Sequence, residues 1–211
     1  MRLFLVLLAG CALFYLFPQI DLWFSALFYE GGFYLKDSFL AKAIYKATIW
    51  ITAGFALGTL LLLVVEWLLK KEWVAKRVLT YLLLVLLLGP GLIVNVLFKN
   101  HFGRARPSQI EAFGGTKHFT PALVITDQCQ KNCSFSSGHA AAAFYFLALV
   151  PLLGGRAKRF ALLTALAWGS LVGMVRIVQG GHFLSDVYCS AVVVWGVSVL
   201  LHYLMFERKI V

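Results

Sequence analysis

Residues 78–98 read VLTYLLLVLLLGPGLIVNVLF, and the reading of this stretch decides the fold. It runs 21 residues without a charge. About 20 apolar residues in a helix cross the hydrocarbon core of a bilayer, whereas a buried helix of a soluble domain is shorter. Five more blocks of this kind lie around it, roughly Leu3–Ile20, Thr48–Val65, His139–Leu153, Phe160–Val178 and Val187–Phe206. The chain of 211 residues is 61% hydrophobic and only 13% charged, which excludes an ordinary soluble domain. The expectation is an all-α polytopic membrane protein with about six transmembrane helices, forming a single membrane-embedded domain over residues 1–211.

Two blocks need comment. His139–Leu153 is short for a span unless it begins at Ser136. Leu3–Ile20 has the length of a signal peptide, but no small-x-small cleavage site follows it, so it reads as an uncleaved span. Between the first two spans, Asp21–Lys46 mixes aromatic residues, among them Trp23, with Lys36, Lys42 and Lys46. That composition predicts an amphipathic segment lying on the membrane surface.

The formal net charge is +10. In a membrane protein this points to anionic lipid surfaces or an anionic substrate. No basic stripe with interleaved aromatics lies outside the apolar blocks, so nucleic-acid binding is set aside. With both termini inside, ten of the 19 Lys and Arg, Lys209 among them, fall on inside segments. The raw count decides little, but the inside charges sit in very short connectors, where the positive-inside rule applies best.

Three polar motifs interrupt the apolar pattern: KNHFGRARP from Lys99 to Pro107, SSGH from Ser136 to His139, and RIVQGGHFLSD from Arg176 to Asp186. Singly, each has an ordinary explanation: juxtamembrane snorkelling, a helix cap and a Gly-Gly turn. Their topology makes them one object. The first two flank the loop between spans three and four, and the last spans the loop between five and six. Two spans separate these loops, so all three motifs share a membrane face. Lys99, Arg106 and Arg176 then bring three cations to one place, and a helix start at Ser137 and Gly138 adds N–H donors. His139 and His182 add two imidazoles, and Asp186, four residues past His182, is placed to hold its tautomer. Cations and donors for equatorial oxygens, one imidazole to attack and one to protonate the leaving oxygen form a layout for phosphoryl transfer.

In their order, K-x6-R-P, S-G-H and R-x5-H-x3-D resemble the signature of the type-2 phosphatidic acid phosphatase family, metal-independent phosphatases related in their active site to vanadium haloperoxidases. The six-span layout resembles the family's integral-membrane lipid phosphatases. The resemblance implies that Lys99, Arg106 and Arg176 bind phosphate with Ser137 and Gly138. It makes His139 the general acid and His182 a nucleophile oriented by Asp186, giving a phosphohistidine intermediate. It implies no metal and no cofactor. The family usually has Pro where this chain has Ser136, a position that shapes the turn and does no chemistry. GRARPSQIEAFGG, FTPAL and NCSFSSGHA look like bacterial lipid A phosphatases of this family. Phosphatidylglycerophosphate and undecaprenyl diphosphate phosphatases share the core motifs.

The expected setting is a bacterial inner membrane with the site facing the periplasm, a membrane lipid as substrate, and no obligate protein partner. Arg104 and Lys117 are candidate headgroup contacts, with anionic lipid headgroups as the alternative. Cys129 and Cys133 are a candidate disulfide in an oxidising periplasm; zinc binding with His118 is the weaker alternative, because C-x3-C lacks the usual paired spacing. A flippase would carry polar groups in mid-span, and these spans hold none near their centres. A non-catalytic lipid-binding family member would have lost a catalytic His or Asp, and none is missing.

Overall fold

The computed structural model describes residues 2–208, with side chains from Leu7. Lys209, counted above among the inside charges, lies outside them. The described residues are helical without strands, and the chain is a polytopic membrane protein. Seven helices carry the fold: α1 (Arg2–Leu16), α2 (Gln19–Ala26), α3 (Phe39–Leu69), α4 (Lys76–His101), α5 (Gly138–Leu152), α6 (Gly155–Val178) and α7 (Leu184–Glu207).

Four of these, α3, α4, α6 and α7, are long and apolar enough to cross a membrane. The other two expected spans differ in kind. The first is a bent pair: α1 and α2 meet at 85° around Pro18, whose ring removes a backbone donor. The fourth is α5, only 15 residues long. From Tyr145 to Leu152 it winds as a 3-10 helix. A rise of about 2.0 Å per residue there, against 1.5 Å in its α-helical first half, stretches it to roughly 26 Å.

The segment expected to lie on the surface divides in two. Its beginning, α2, does lie across α1, but it turns its polar residues inward: Asp21 and Ser25, one turn apart, are fully buried, while Trp23 is exposed. Its end belongs to a span, because α3 starts at Phe39, not near Thr48. Ser38 caps that start, accepting from the Ala41 N–H at 3.2 Å. Lys42 and Lys46 therefore sit on the first turns of a transmembrane helix.

α5 is the rod around which the bundle is built, in contact with α3, α4, α6 and α7. The run Ala140–Ala143 lets neighbours approach, and Ala140, Ala141, Phe144, Leu147 and Val150 enter one core with Val94, Ile177, Val187 and Val194. α6 comes close through Gly169 and Gly173, a small-xxx-small pair seated on Phe144 and Val187. Inside the bilayer the packing is pinned by tyrosines. The Tyr81 hydroxyl bridges the carbonyls of Ala148 (3.0 Å) and Ser198 (3.1 Å), and Tyr145 donates to the Leu82 carbonyl at 3.0 Å. Such bonds satisfy polar groups that lipid cannot. Tyr188 on α7 ties to α1, donating to the Leu7 carbonyl at 3.1 Å over Gly10.

Candidate active site

Lys99 closes α4, Arg176 closes α6, and His139 opens α5, so the three arrive at one end of the bundle. The loop from 102 to 137 folds back over that end. Asn132 in this loop gathers two of the cations: its side-chain oxygen accepts from Lys99 Nζ at 2.9 Å, and its carbonyl accepts from Arg106 at 2.8 Å. Asn132 takes a left-handed conformation, φ +53°, which Asn tolerates better than most residues. Cys129 and Cys133 are joined as a disulfide across it, with Cα atoms 5.6 Å apart. The bond leaves no thiolate for zinc, and His118 pairs with Glu111 at 3.1 Å.

Arg176 is held by Gln179, which accepts from its guanidinium, and lies 4.8 Å over the Tyr45 ring. It has room only because position 181 is glycine: a Cβ there would stand 2.1 Å from a guanidinium nitrogen. Tyr45 stacks in turn on the His139 ring, centroids 4.0 Å apart. Through Tyr45, α3 touches both a cation and an imidazole. Gly138 sits where a Cβ would meet Asn95 Oδ1 at 2.4 Å and Lys99 Cε at 3.3 Å, so the helix start and the lysine pass within contact of each other.

The helix start differs in detail from expectation. Ser137 spends its own N–H on the Asp186 carbonyl at 3.3 Å, and its hydroxyl oxygen caps the Ala140 N–H at 3.4 Å. Ala140 and Ala141 are the first residues whose N–H groups find acceptors there, both on Ser137. The free donors are therefore the Gly138 and His139 N–H groups, one residue further along than Ser137 and Gly138. His139 Nε2 is also buried without a partner, as is Arg176 Nε. Unsatisfied buried polar atoms clustered at one point mark a place made for a ligand.

His182 is oriented differently from expectation. Its Nδ1 lies 2.7 Å from the Ser134 carbonyl and 3.6 Å from Asp186 Oδ2, beyond hydrogen-bond range. The Ser134 carbonyl sets the tautomer, and Nε2 is left for chemistry. Asp186 stands one step behind. It accepts from the Ser134 hydroxyl (2.5 Å), the Phe183 N–H (2.8 Å) and Arg104 (2.6 Å). Burial pushes the His182 imidazole down to about 4, against the pull of the Asp186 carboxylate, while the charges of Arg176 and Lys99 lower it further. Its nitrogen is thus unprotonated at neutral pH.

Arg104 is not a headgroup contact. It is fully buried, joined to Asp186 and, at 2.8 Å, to Asp21 on α2. It also donates to Ser185 Oγ at 2.8 Å and the Thr120 carbonyl at 2.9 Å, and it lies 4.2 Å over the Phe183 ring. Asp21 in turn accepts from the Ser185 N–H at 2.9 Å. Burial disfavours the Arg104 cation, and the carboxylates of Asp186 and Asp21 outweigh it. Arg104 and Arg106 are two residues apart but part company: Arg104 enters the buried carboxylates of Asp21 and Asp186, while Arg106 donates to the Asn132 carbonyl and lines the site. Lys117 is exposed on the loop, where its backbone pairs with Gln109 and Glu111.

Two cavities meet at the Tyr45–His139 pair. One of about 430 Å³ is lined by Lys99, Asn132, Gly138 and His139, and continues along Ile49, Thr52, Ala53 and Leu86 of the spans. The other, about 610 Å³, holds Arg106 and Arg176 and opens past Lys36, Lys42 and Lys46; Lys117 lines neither. A polar, cationic centre with an apolar approach suits an anionic group carried on a lipid.

Residues 77–210 match the PAP2 superfamily. The chain is 35% identical over 210 residues to a lipid A 4'-phosphatase of Francisella tularensis subsp. novicida, an alignment covering 93% of this chain and 90% of that one. It is 34% identical over 222 residues to a lipid A 4'-phosphatase of Rhizobium leguminosarum, covering 95% of each. A lipid A 4'-phosphatase of Rhizobium etli is 34% identical over 217 residues, covering 90% of this chain and 82% of the relative. No solved structure matches the chain.

Proposed function

Because the chain belongs to the PAP2 superfamily and is a membrane phosphatase, we propose that it removes the 4'-phosphate of lipid A at the periplasmic face of the inner membrane, through a phosphohistidine on His182. The relatives named for that reaction align over most of the chain. The observation that carries the mechanism is the meeting of Lys99, Arg106 and Arg176 with two imidazoles, one of which keeps a buried nitrogen without a partner.

In this mechanism the three cations and the Gly138 and His139 N–H groups bind the phosphate oxygens. His182 Nε2 attacks phosphorus. The P–N bond forms as the bond to the sugar oxygen breaks, and His139 Nε2 gives that oxygen its proton. Water then attacks phosphorus, returns a proton to His139 and frees His182. Tyr45 holds the His139 ring in plane for both transfers.

The test is phosphate release by purified protein from lipid A, phosphatidylglycerophosphate, phosphatidic acid and undecaprenyl diphosphate. Lipid A is expected to give the highest kcat/KM, with label from ³²P-substrate trapped on protein as an acid-labile adduct absent from His182→Asn. A better turnover of another lipid removes the substrate assignment. Near-normal turnover by a folded His182→Asn removes the mechanism.

A further inference from the structure

The 610 Å³ cavity carries more positive charge than the reacting phosphate can use. Arg106 and Arg176 in this cavity, with Lys99 in the neighbouring one, already supply three charges around a phosphate monoester that carries two. Beyond them the same cavity is lined by Lys36, Lys42 and Lys46, with Asp37 as the acid among its lining residues. Asp37 pairs with Lys42 at 2.8 Å. Lys36 and Lys46 have no acidic partner among the described residues. The surplus beyond the phosphate-binding trio is thus about two charges, the charge of one more phosphate. The lysines are also not scattered over the surface. Lys42 and Lys46 are one helical turn apart on α3 and flank Tyr45, the residue that touches both Arg176 and His139. Whatever enters beside them is within one side chain of the reacting centre.

We propose that Lys36 and Lys46, with Lys42 behind them, form a second anion subsite that binds another phosphate or carboxylate of the same substrate molecule while its scissile phosphate lies among Lys99, Arg106 and Arg176. The ligand class is a headgroup bearing two anionic groups on one scaffold, and the inference rests on the reading of a sugar-phosphate lipid as substrate. The subsite acts on specificity: it binds a group that does not react, so it lowers KM for doubly charged headgroups and leaves the bond-breaking step alone. An alternative source of the anion is a neighbouring lipid headgroup, which would favour every substrate equally.

The experiment uses the full chain in neutral detergent, and compares wild type with Lys36→Gln/Lys46→Gln. The first arm measures KM for lipid A carrying both phosphates and for the same lipid carrying only the 4'-phosphate. Wild type is expected to prefer the doubly phosphorylated lipid, and the variant to raise KM for it about tenfold against at most about twofold for the other. Equal effects on the two lipids, or none, overturn the proposal. The second arm does not depend on lipid A. It measures inhibition by hexane-1,6-bisphosphate and by hexyl phosphate, using the best substrate in the panel. Stronger inhibition by the bisphosphate that disappears in the variant supports the subsite even where lipid A is not cleaved, in which case only the substrate assignment falls. Equal inhibition by both compounds, in wild type and variant alike, overturns the subsite whatever the substrate.

Discussion

Replacing Arg104 with methionine tests the buried network behind the site. The guanidinium makes four hydrogen bonds, to Asp186, Asp21, Ser185 and Thr120, and its side chain is 1% exposed. Methionine roughly matches its volume but leaves two fully buried carboxylates without a cation. Removing one member of a buried ion pair costs about 3–5 kcal/mol. Asp186 keeps the Ser134 hydroxyl and the Phe183 N–H, and Asp21 keeps two bonds to Ser185, so the loss should stay near that range rather than double it. The expected result is a fall in apparent melting temperature on the order of 10 °C in detergent. Phosphate release should fall in kcat as well, because Asp186 and Ser134 no longer hold His182 from behind. Arg104→Lys should recover little, since one ammonium cannot reach acceptors on both sides. Arg104→Met/Asp21→Asn should recover part of the stability by removing one of the orphaned charges, a non-additivity that a surface residue would not show. If Arg104→Met left the melting temperature unchanged and altered only KM, Arg104 would be a headgroup contact after all, and the reasoning from the network would be refuted.

Three further outcomes follow from the same geometry. Cys129→Ser/Cys133→Ser opens a loop closed over four residues, and chain entropy puts the cost near 2 kcal/mol. Its particular signature should be a raised KM, because Asn132 within that loop holds both Lys99 and Arg106; an unchanged KM would separate the disulfide from the site. The acid limb of kcat/KM assigned to His182 should lie near pH 4, not near 6.5, because burial keeps the imidazole neutral to about 4. The same depression costs stability in acid. Below about 6.5 the unfolded chain takes a proton that the folded chain refuses, so stability falls from there down to about pH 4, by roughly 3 kcal/mol at most. Titration of the His182 ring by NMR with a midpoint near 6.5 would contradict both statements.

The residues of the proposed mechanism were legible because the chain is so apolar. In a sequence with 13% charged residues, His139, His182, Lys99 and Arg176 stand at span ends where nothing but function or anchoring explains them. Their supports were not legible. Tyr45 looked like one aromatic among many in an interfacial segment, because Lys42 and Lys46 interrupt the apolar window and hide the first turns of α3. Arg104 reads as a headgroup contact, and only its bonds to Asp21 and Asp186 show that it is buried behind the site. Asp21 was the available clue. A carboxylate at the end of an apolar span needs a cation, and the sequence offers several without saying which. Asn132 gave no signal at all, since its role depends on a carbonyl and on a loop conformation.

The network also explains why a site so rich in cations can be buried at the mouth of a membrane bundle. Lys99 is 8% exposed and Arg176 9%, and bringing such charges out of water is costly without a counter-charge. Asp186 touches neither of them and gives its oxygens to Arg104, Ser134 and Phe183. Asp186, bound by Arg104 and Ser134, sets its negative charge a layer behind three positive ones. That arrangement lowers the cost of gathering the cations without occupying their donors, which stay directed at the position of the phosphate. A carboxylate placed among the cations would satisfy them and compete with substrate. Held back by Arg104, the same charge favours a positively charged His182, so in the proposed phosphohistidine mechanism the layer that stabilises the empty site also stabilises the attack.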